Sequence, residues 1–436
     1  MALKPGNAEP RLGTERKEAK LGLGAPRISP GYKQTEVGVI PEDWSIVSAF
    51  DACSKIQDGT HFSPRIGGND YFYITSKNIR FGHLDISTAS RIDRVQHQAI
   101  YRRCDVKKGD LLLTKDGANT GNAALNTLDE EFSLLSSVAF LRFHPSQYCP
   151  AYFLQQVLTS QGQRQIQDAM AGNAITRLTL EKIKKLRFPV PPTKAEQEAI
   201  AKPLSDADAL IESLEQLIAK KRQIKQGAMQ ELLTGKKRLP GFEIKHGYKH
   251  TEVGVIPEDW DLDYIENLAH ITTGSKNTQD HADDGQYPFF VRSQTVERIN
   301  SYSFDGEAVL TAGDGVGTGK IFHYVNGKFD VHQRVYRISD FSLRLNGYFF
   351  YLYFSSSFYN RIMQMTAKSS VDSVRREMIA RMPIPLPPTK AEQEAIGTIV
   401  SDMDAEIAAL ETKLAKARQI KQGMMQELLT GKIRLV

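Results

Sequence analysis

GYKQTEVGVIPEDW at residues 31–44 and GYKHTEVGVIPEDW at residues 247–260 differ only at Gln34 versus His250. A second stretch, PPTKAEQEAI, stands at 191–200 and recurs unchanged at 387–396. Farther on, RQIKQG recurs at 222–227 and 418–423, and MQELLTGK at 229–236 and 425–432. The segments enclosed between the repeated stretches, 45–190 and 261–386, differ in length by 20 residues and do not resemble one another. A solenoid would show units of about 20–50 residues, and a duplicated enzyme would keep two recognisable active sites. Near-identical bookends around dissimilar contents instead describe a fixed frame that holds two interchangeable cassettes.

The bookends themselves read as helices. Pro191-Pro192 and Pro387-Pro388 cannot continue a helix, and Thr193 and Thr389 after them suit the N-cap. Glu196 and Glu392 follow at capping-box spacing. Apolar residues then alternate in steps of four and three: Ile200, Leu204, Ala207, Ile211, Leu214, Ile218, and again Ile396, Val400, Met403, Ile407, Leu410, Leu414, Ala417. That is a coiled-coil seam. The first helix, Lys194 to Leu233, spans about 60 Å at about 1.5 Å per residue, and Gly235 and Gly431 are natural stops. Two such helices in one chain pair most simply with each other and antiparallel, the alternative being that each packs on its own cassette's core.

Both cassettes mix short β-like runs with helices, so the predicted class is α+β. Asp110–Thr114 and Glu307–Thr311 read as strands, followed by KDGANTGNAAL and AGDGVGTGKIF. Matching Thr114 with Thr311, Asp116 with Asp314, and Gly117 and Gly121 with Gly315 and Gly319 gives a hairpin in each cassette. GDGVGTGK at 313–320 is not a nucleotide-binding P-loop, because Gly313 and Gly319 are six apart and Ile321 replaces the required Ser or Thr. Helical stretches at Ala151–Met170 and Asn346–Met365 lead to AGNAITRLT and AKSSVDSVR. Gly172, Asn173, Thr176 and Arg177, and Lys368, Ser369, Ser370 and Arg375, have the size and polarity to meet base edges and phosphates. The same mix suits any solvated loop. Lys115, Asn119, Asn122 and Lys320 fall at the hairpin tips, from which side chains are expected to project toward a groove; the bland reading is that Asp116 and Asp314 only hold the turns. Trp44 and Trp260, the only tryptophans, lie inside the bookends and read as packing residues.

Composition excludes more than it asserts. The 56 basic and 51 acidic residues leave a net charge of +5, a mild surplus compatible with DNA but no proof of it. It is concentrated, however: residues 45–190 carry 18 basic against 13 acidic, and 286–386 carry 12 against 8. Cys53, Cys104 and Cys149 share no metal-ligand spacing and cannot all pair. No apolar run approaches a membrane span and no signal peptide opens the chain, so no membrane association and a cytoplasmic location are expected. Residues 1–30, rich in Gly, Pro, Lys and Glu, read as a disordered leader. Methyltransferase DPPY or NPPF motifs, helicase motifs and a PD…ExK nuclease cluster are all missing from the sequence.

The order GY…TEVGVIPEDW, cassette, PPTKAEQEAI, long helix, QELLTGK, twice over, resembles the specificity (S) subunit of type I restriction-modification systems, over residues 31–436. The resemblance implies two globular α/β-type target recognition domains separated by an antiparallel pair of long coiled-coil helices in a pseudo-two-fold repeat. It divides the chain into the leader (1–30), first recognition domain (31–190), first helical spacer (191–246), second recognition domain (247–386) and second spacer (387–436). It further implies a non-catalytic subunit that reads a bipartite, asymmetric site on double-stranded DNA and docks two methylation (M) subunits and restriction (R) subunits. No cofactor belongs to this chain; S-adenosylmethionine, ATP and Mg enter on the partners. Candidate DNA-contacting residues are Lys115, Asn119, Asn122, Thr176, Arg177, Lys320, Lys368 and Arg375. The competing readings are a methylation-only specificity subunit, a coiled-coil scaffold without DNA binding, and a stand-alone enzyme.

Overall fold

A computed structural model describes residues 28–170, 177–242, 245–365 and 373–435. It resolves into two compact units that share both long helices: Met1–Leu210 with Ala417–Val436, and Ile211–Lys416.

Each cassette is preceded by the bookend hairpin, Tyr32–Thr35 with Gly38–Pro41 in the first unit and Tyr248–Thr251 with Gly254–Pro257 in the second. A strand then pairs with the cassette's last strand, Ser45–Ser48 with Arg187–Val190 and Asp261–Tyr264 with Pro383–Leu386, so each cassette is closed end to end. Between them the first unit has a four-stranded sheet, in the order Cys53–Asp58, Val138–Phe143, Leu111–Thr114, Ala123–Leu125, and a three-stranded one of Ser90–Ile92, Tyr71–Ile74 and Ser133–Leu134. The second unit has the same path as one six-stranded sheet: His270–Thr273, Val335–Ser339, Phe304–Ala312, Phe322–Val331, Tyr287–Phe290, Glu297–Ile299. There the strand Phe322–Val331 runs far enough to do alone what Ala123–Leu125 and Ser133–Leu134 do separately in the first. The two cassettes thus share a fold without sharing a sequence.

The helical stretches differ. Gly347–Met365 is continuous, whereas its counterpart breaks at Thr159 into Pro150–Leu158 and Ser160–Met170. Thr159 is extended (ψ 156°), and its hydroxyl accepts from the Gly162 amide at 2.9 Å, capping a new helix instead of extending the old one.

The long helices run Lys194–Leu232 and Lys390–Leu428, 39 residues each. Their seam residues Ile200, Leu204, Leu214, Ile218, Ile396, Val400 and Ile407 are buried. The pairing is antiparallel in both units. In the second unit Lys221 pairs with Glu406 at 2.7 Å and Lys225 with Asp404 at 2.5 Å, so one number falls as the other rises. In the first, the homologous Lys421 meets Asp208 at 2.5 Å. The alternative of packing on the cassette holds as well: Ile200, Ala201 and Leu204 share one core with Phe153, Phe188, Leu428 and Leu429, and Ile396 and Val400 share one with Phe350, Leu386, Leu232 and Leu233.

The helix ends carry a device that the sequence alone did not disclose. Thr193 and Thr389 accept from the amides of Glu196 and Glu392 (3.1 and 3.2 Å), half of a capping box, but the glutamate side chains do not complete it. Glu392 instead receives the Arg238 guanidinium at 2.8 and 3.1 Å, while Arg238 also donates to Asp259 at 2.7 Å and to the Phe242 carbonyl at 2.7 Å. Glu196 receives Arg434, which donates twice to Asp43 at 3.0 Å. Gly235 and Gly431 (both φ 69°) turn the chain out of each helix, and a Cβ there would strike Pro257 at 2.5 Å or Pro41 at 2.4 Å. The tail after each helix is thereby clamped onto a bookend hairpin, against Trp260 and Trp44, both fully buried. Burial raises the Glu392 carboxyl above its ordinary value against the pull of Arg238.

Candidate nucleic-acid interface

In each unit several strand-end loops converge on the hairpin that the sequence singled out. Those hairpins are present: Leu111–Thr114 with Ala123–Leu125, and Phe304–Ala312 with Phe322–Val331. Residues 313–320 connect two strands, which is the hairpin reading and not the P-loop one. One of the matches between the cassettes moves by one residue. Lys115 accepts from the Leu178 amide as Gly313 accepts from Val374, and Thr114 and Ala312 occupy the same place in their sheets, so Thr114 corresponds to Ala312 and not to Thr311. Asp116 still corresponds to Asp314, and Ala118 to Val316.

Around the first hairpin, Thr60 accepts from the Ser136 amide, Ser137 accepts from Lys115, and Ser137 Oγ accepts from Ser76. Lys115 does not project. It is buried, its ammonium held by Asp58 at 3.3 Å and Asp116 at 3.0 Å. A lysine directly after a central strand, facing an acid at the end of Cys53–Asp58, finds its charge neutralised inward. In the second unit the corresponding pair is Gly313 and Thr273, so the cation and the acid are absent together. Asn122 is half-buried and donates to the Ile79 carbonyl at 3.1 Å, an anchor between loops. Arg177 is exposed and donates twice to Asp116, at 2.9 and 3.2 Å. Asn119 is half-buried and its side chain has no hydrogen-bond partner among the described residues. Burial works to raise the Asp116 carboxyl, but the hydrogen bonds from Arg177 and Lys115 outweigh it and hold the group below the usual carboxylate range.

Around the second hairpin, Asp314 is gripped by Arg292 at 2.8 Å and approached by Arg334 at 3.6 Å. Gln333 donates to Lys276 through its amide and to Asn277 through its side chain at 2.5 Å, which ties the loop after His270–Thr273 to the same place. Lys320 is exposed with its ammonium 5.2 Å above the Tyr359 ring. Arg375 is exposed at the N-cap of Arg376–Ala380 without a capping side-chain bond. Thr176 and Lys368, with Gly172, Asn173, Ser369 and Ser370, lie outside the described residues. Sequence reading missed Arg292, Arg334 and Gln333 because Arg292 follows the strand Tyr287–Phe290 and Gln333 and Arg334 stand in the turn after Phe322–Val331, away from the hairpin tip in sequence. Only the pairing of strands brings Arg292 and Arg334 to Asp314.

Among the described residues no group of three or more His, Cys, Asp or Glu side chains is placed to hold a metal ion. The three cysteines are buried and unpaired. No described helix is long and apolar enough to cross a membrane.

A family model, the type I restriction modification DNA specificity domain, matches residues 41–223 and again 257–419. The putative type I restriction enzyme MjaX specificity subunit of Methanocaldococcus jannaschii is 26% identical over 427 residues, covering 93% of this chain and 97% of that protein. The MjaVIII specificity subunit from the same organism is 25% identical over 422 residues, covering 91% and 94%. Among solved structures, the type I restriction-modification S subunit from M. genitalium superposes with a TM-score of 0.63 at 14% identity, over 88% of this chain and 96% of that one, a likeness of fold. With both copies of its frame matched, this chain belongs to the type I restriction-modification DNA specificity family, as a non-catalytic recognition subunit.

Proposed function

We propose that the chain reads an asymmetric, bipartite site on double-stranded DNA, one half with the loop edge of each cassette, and docks methylation subunits on its helical frame. One observation carries the reading: the two units repeat their arginine clamps and the order of their strands, yet differ at the loop edge. Lys115 stands opposite Gly313, Asp58 opposite Thr273, and Ala118 opposite Val316. A frame used twice with two different edges suits one mode of docking and two different half-sites. The side chains we assign to DNA are Asn119, Arg177, Lys320 and Arg375, joined by Arg292 and Arg334, with Thr176 and Lys368 in the segments beside them. Lys115 and Asn122 act from beneath, by holding the loops. Arginines suit guanine edges or phosphates, and Asn119 suits adenine.

In this proposal the chain works in the cytoplasm with two methylation subunits, which bring S-adenosylmethionine, and with restriction subunits, which bring ATP and Mg. Methylation mapping in cells that carry the chain and its methylation subunits tests it. The expected result is a split motif with two unlike halves. A palindrome with identical halves would contradict the reading, and an uninterrupted motif would contradict the bipartite site.

A further inference from the structure

We propose that Val316 is a base-reading side chain that packs on the C5-methyl group of a pyrimidine, thymine in unmodified DNA, in the second half-site. The inference rests on the loop edge facing DNA as argued above, and it adds a residue and a chemical group to that reading. Val316 stands at the tip of the second hairpin at 101% of full exposure. A single exposed valine is ordinary on a protein surface. This one is set apart by how it is presented and by what surrounds it.

The loop beneath it is fixed. The amide and hydroxyl of Thr318 both donate to the Gly315 carbonyl, at 3.1 and 2.6 Å. The amides of Lys320 and Ile321 both donate to the Gly317 carbonyl, at 3.0 and 3.1 Å. At its base Val374 donates to Gly313 at 2.7 Å, and Asp314 is held by Arg292. The neighbours of Val316 in sequence are both glycine. Gly315 has φ 86°, and a Cβ on Gly317 would lie 2.1 Å from Ile321. The tip therefore offers one branched apolar side chain and no other, and a β-branched residue has little χ1 freedom left to lose on contact.

Around this apolar point stand cations: Arg292 and Arg334, about half and two-thirds exposed, and Lys320. Cations meet phosphates and guanine edges, whereas a methyl-bearing tip has one complementary feature in the major groove, the thymine C5-methyl. The same place in the first cassette is Ala118, with a single methyl in place of an isopropyl group, so the two halves are probed by tips of different reach.

The test uses the chain in complex with its methylation subunits, on duplexes carrying the site that methylation mapping defines. Each thymine of the second half-site, on either strand, is replaced in turn by uracil, which pairs identically and lacks only the methyl. One such replacement is expected to weaken binding about fourfold, the worth of one buried methyl. Val316→Ser is expected to lose a similar factor on the unmodified duplex and then to be indifferent to that uracil. The proposal is overturned if no uracil matters, if the half-site holds no thymine, or if Val316→Ser remains as sensitive as the parent. Lys320→Ala and Arg334→Ala separate the two levels. If they weaken binding while Val316→Ser is silent, the edge faces DNA and only this assignment fails. If all three are silent, the loop edge is not the reading surface. Because Val316 is fully exposed, its replacement leaves folding intact.

Discussion

Replacing Arg238 with alanine removes the cation of the second unit's clamp and leaves two carboxylates behind it. The Arg238 side chain is 8% exposed, and those of Asp259 and Glu392 are 3% and 1%. Taking one partner from a buried ion network costs about 3–5 kcal/mol, because the residual charges stay desolvated. The first unit supplies an internal comparison. Arg434 likewise bridges a glutamate and an aspartate, and Glu196 is only 2% exposed, but Arg434 is 35% exposed and Asp43 52%, so water can take the place of the guanidinium on the Asp43 side. Arg434→Ala should cost about 1–3 kcal/mol. The loss in Arg238→Ala should also depend on pH. Glu392 already titrates above its ordinary value in the folded chain, and without Arg238 it should titrate higher still. A carboxyl whose folded pKa lies above its unfolded one loses stability as pH rises from the unfolded value through the folded one. The variant should therefore be least impaired near pH 4–5, about where an unfolded glutamate titrates, and most impaired above neutrality. Trp260 packs in this clamp and Trp44 in the other, and the chain has no further tryptophan. Urea unfolding followed by fluorescence in a Trp44→Phe background thus reports the second unit, and the converse Trp260→Phe background reports the first. Equal and small losses in the two units, or a loss that deepens toward acid, would refute the reasoning.

Lys115→Ala should destabilise the first unit by about 1–3 kcal/mol through Asp58, which is left with only the exposed His61 at 3.5 Å. Asp58→Thr, the residue found opposite in the second unit, should restore most of it in the double variant. A double variant no better than the single one would show that Lys115 does more than neutralise Asp58. Lys320→Ala and Arg334→Ala should weaken methylation of the second half-site only. A base contact should cost about 1–3 kcal/mol at one position, and a phosphate contact should act evenly and lower the salt slope by about 1, as binding titrations over a range of salt would tell. Pro203 interrupts the hydrogen bonding of the first long helix where the second has Ile399. Pro203→Ala should raise the melting temperature, and a fall would mean that the helix needs its irregularity.

Periodicity made the helices legible, and repetition made the frame legible, because both are local patterns that burial of an apolar stripe imposes on sequence. Ile200, Leu204, Ile396 and Val400 were placed on a buried seam from spacing alone, and they lie there. The hairpins were legible from their glycines and the aspartates beside them. What escaped was whatever depends on strand pairing. Lys115 reads as a basic residue at a turn, and nothing near it in sequence says that Asp58 lies underneath. Arg292 and Arg334 lie 22 and 20 residues from Asp314, in the loop after Tyr287–Phe290 and the turn after Phe322–Val331. Thr159 could not be told from a helical residue, since its capping role shows only once Gly162 comes close. The repeated stretch MQELLTGK ended at Lys236 and Lys432, short of Arg238 and Arg434, and Glu196 and Glu392 carried a ready explanation as capping residues, which hid the true one.

The clamp on Arg434 also fixes an order in time. Residues 211–416 form their unit from one continuous length of chain, whereas the unit built on the first cassette also draws in Ala417–Val436. A ribosome therefore releases everything the second cassette needs before the first can close. Until the last helix turns emerge, Trp44, Ile200 and Leu204 wait without Leu428 and Leu429, whose burial contributes about 1.5–3 kcal/mol per leucine. The part of the protein made first is the part finished last. A lesion at residues 428–434 should therefore appear as a defect in a cassette synthesised hundreds of residues earlier, with the second cassette untouched.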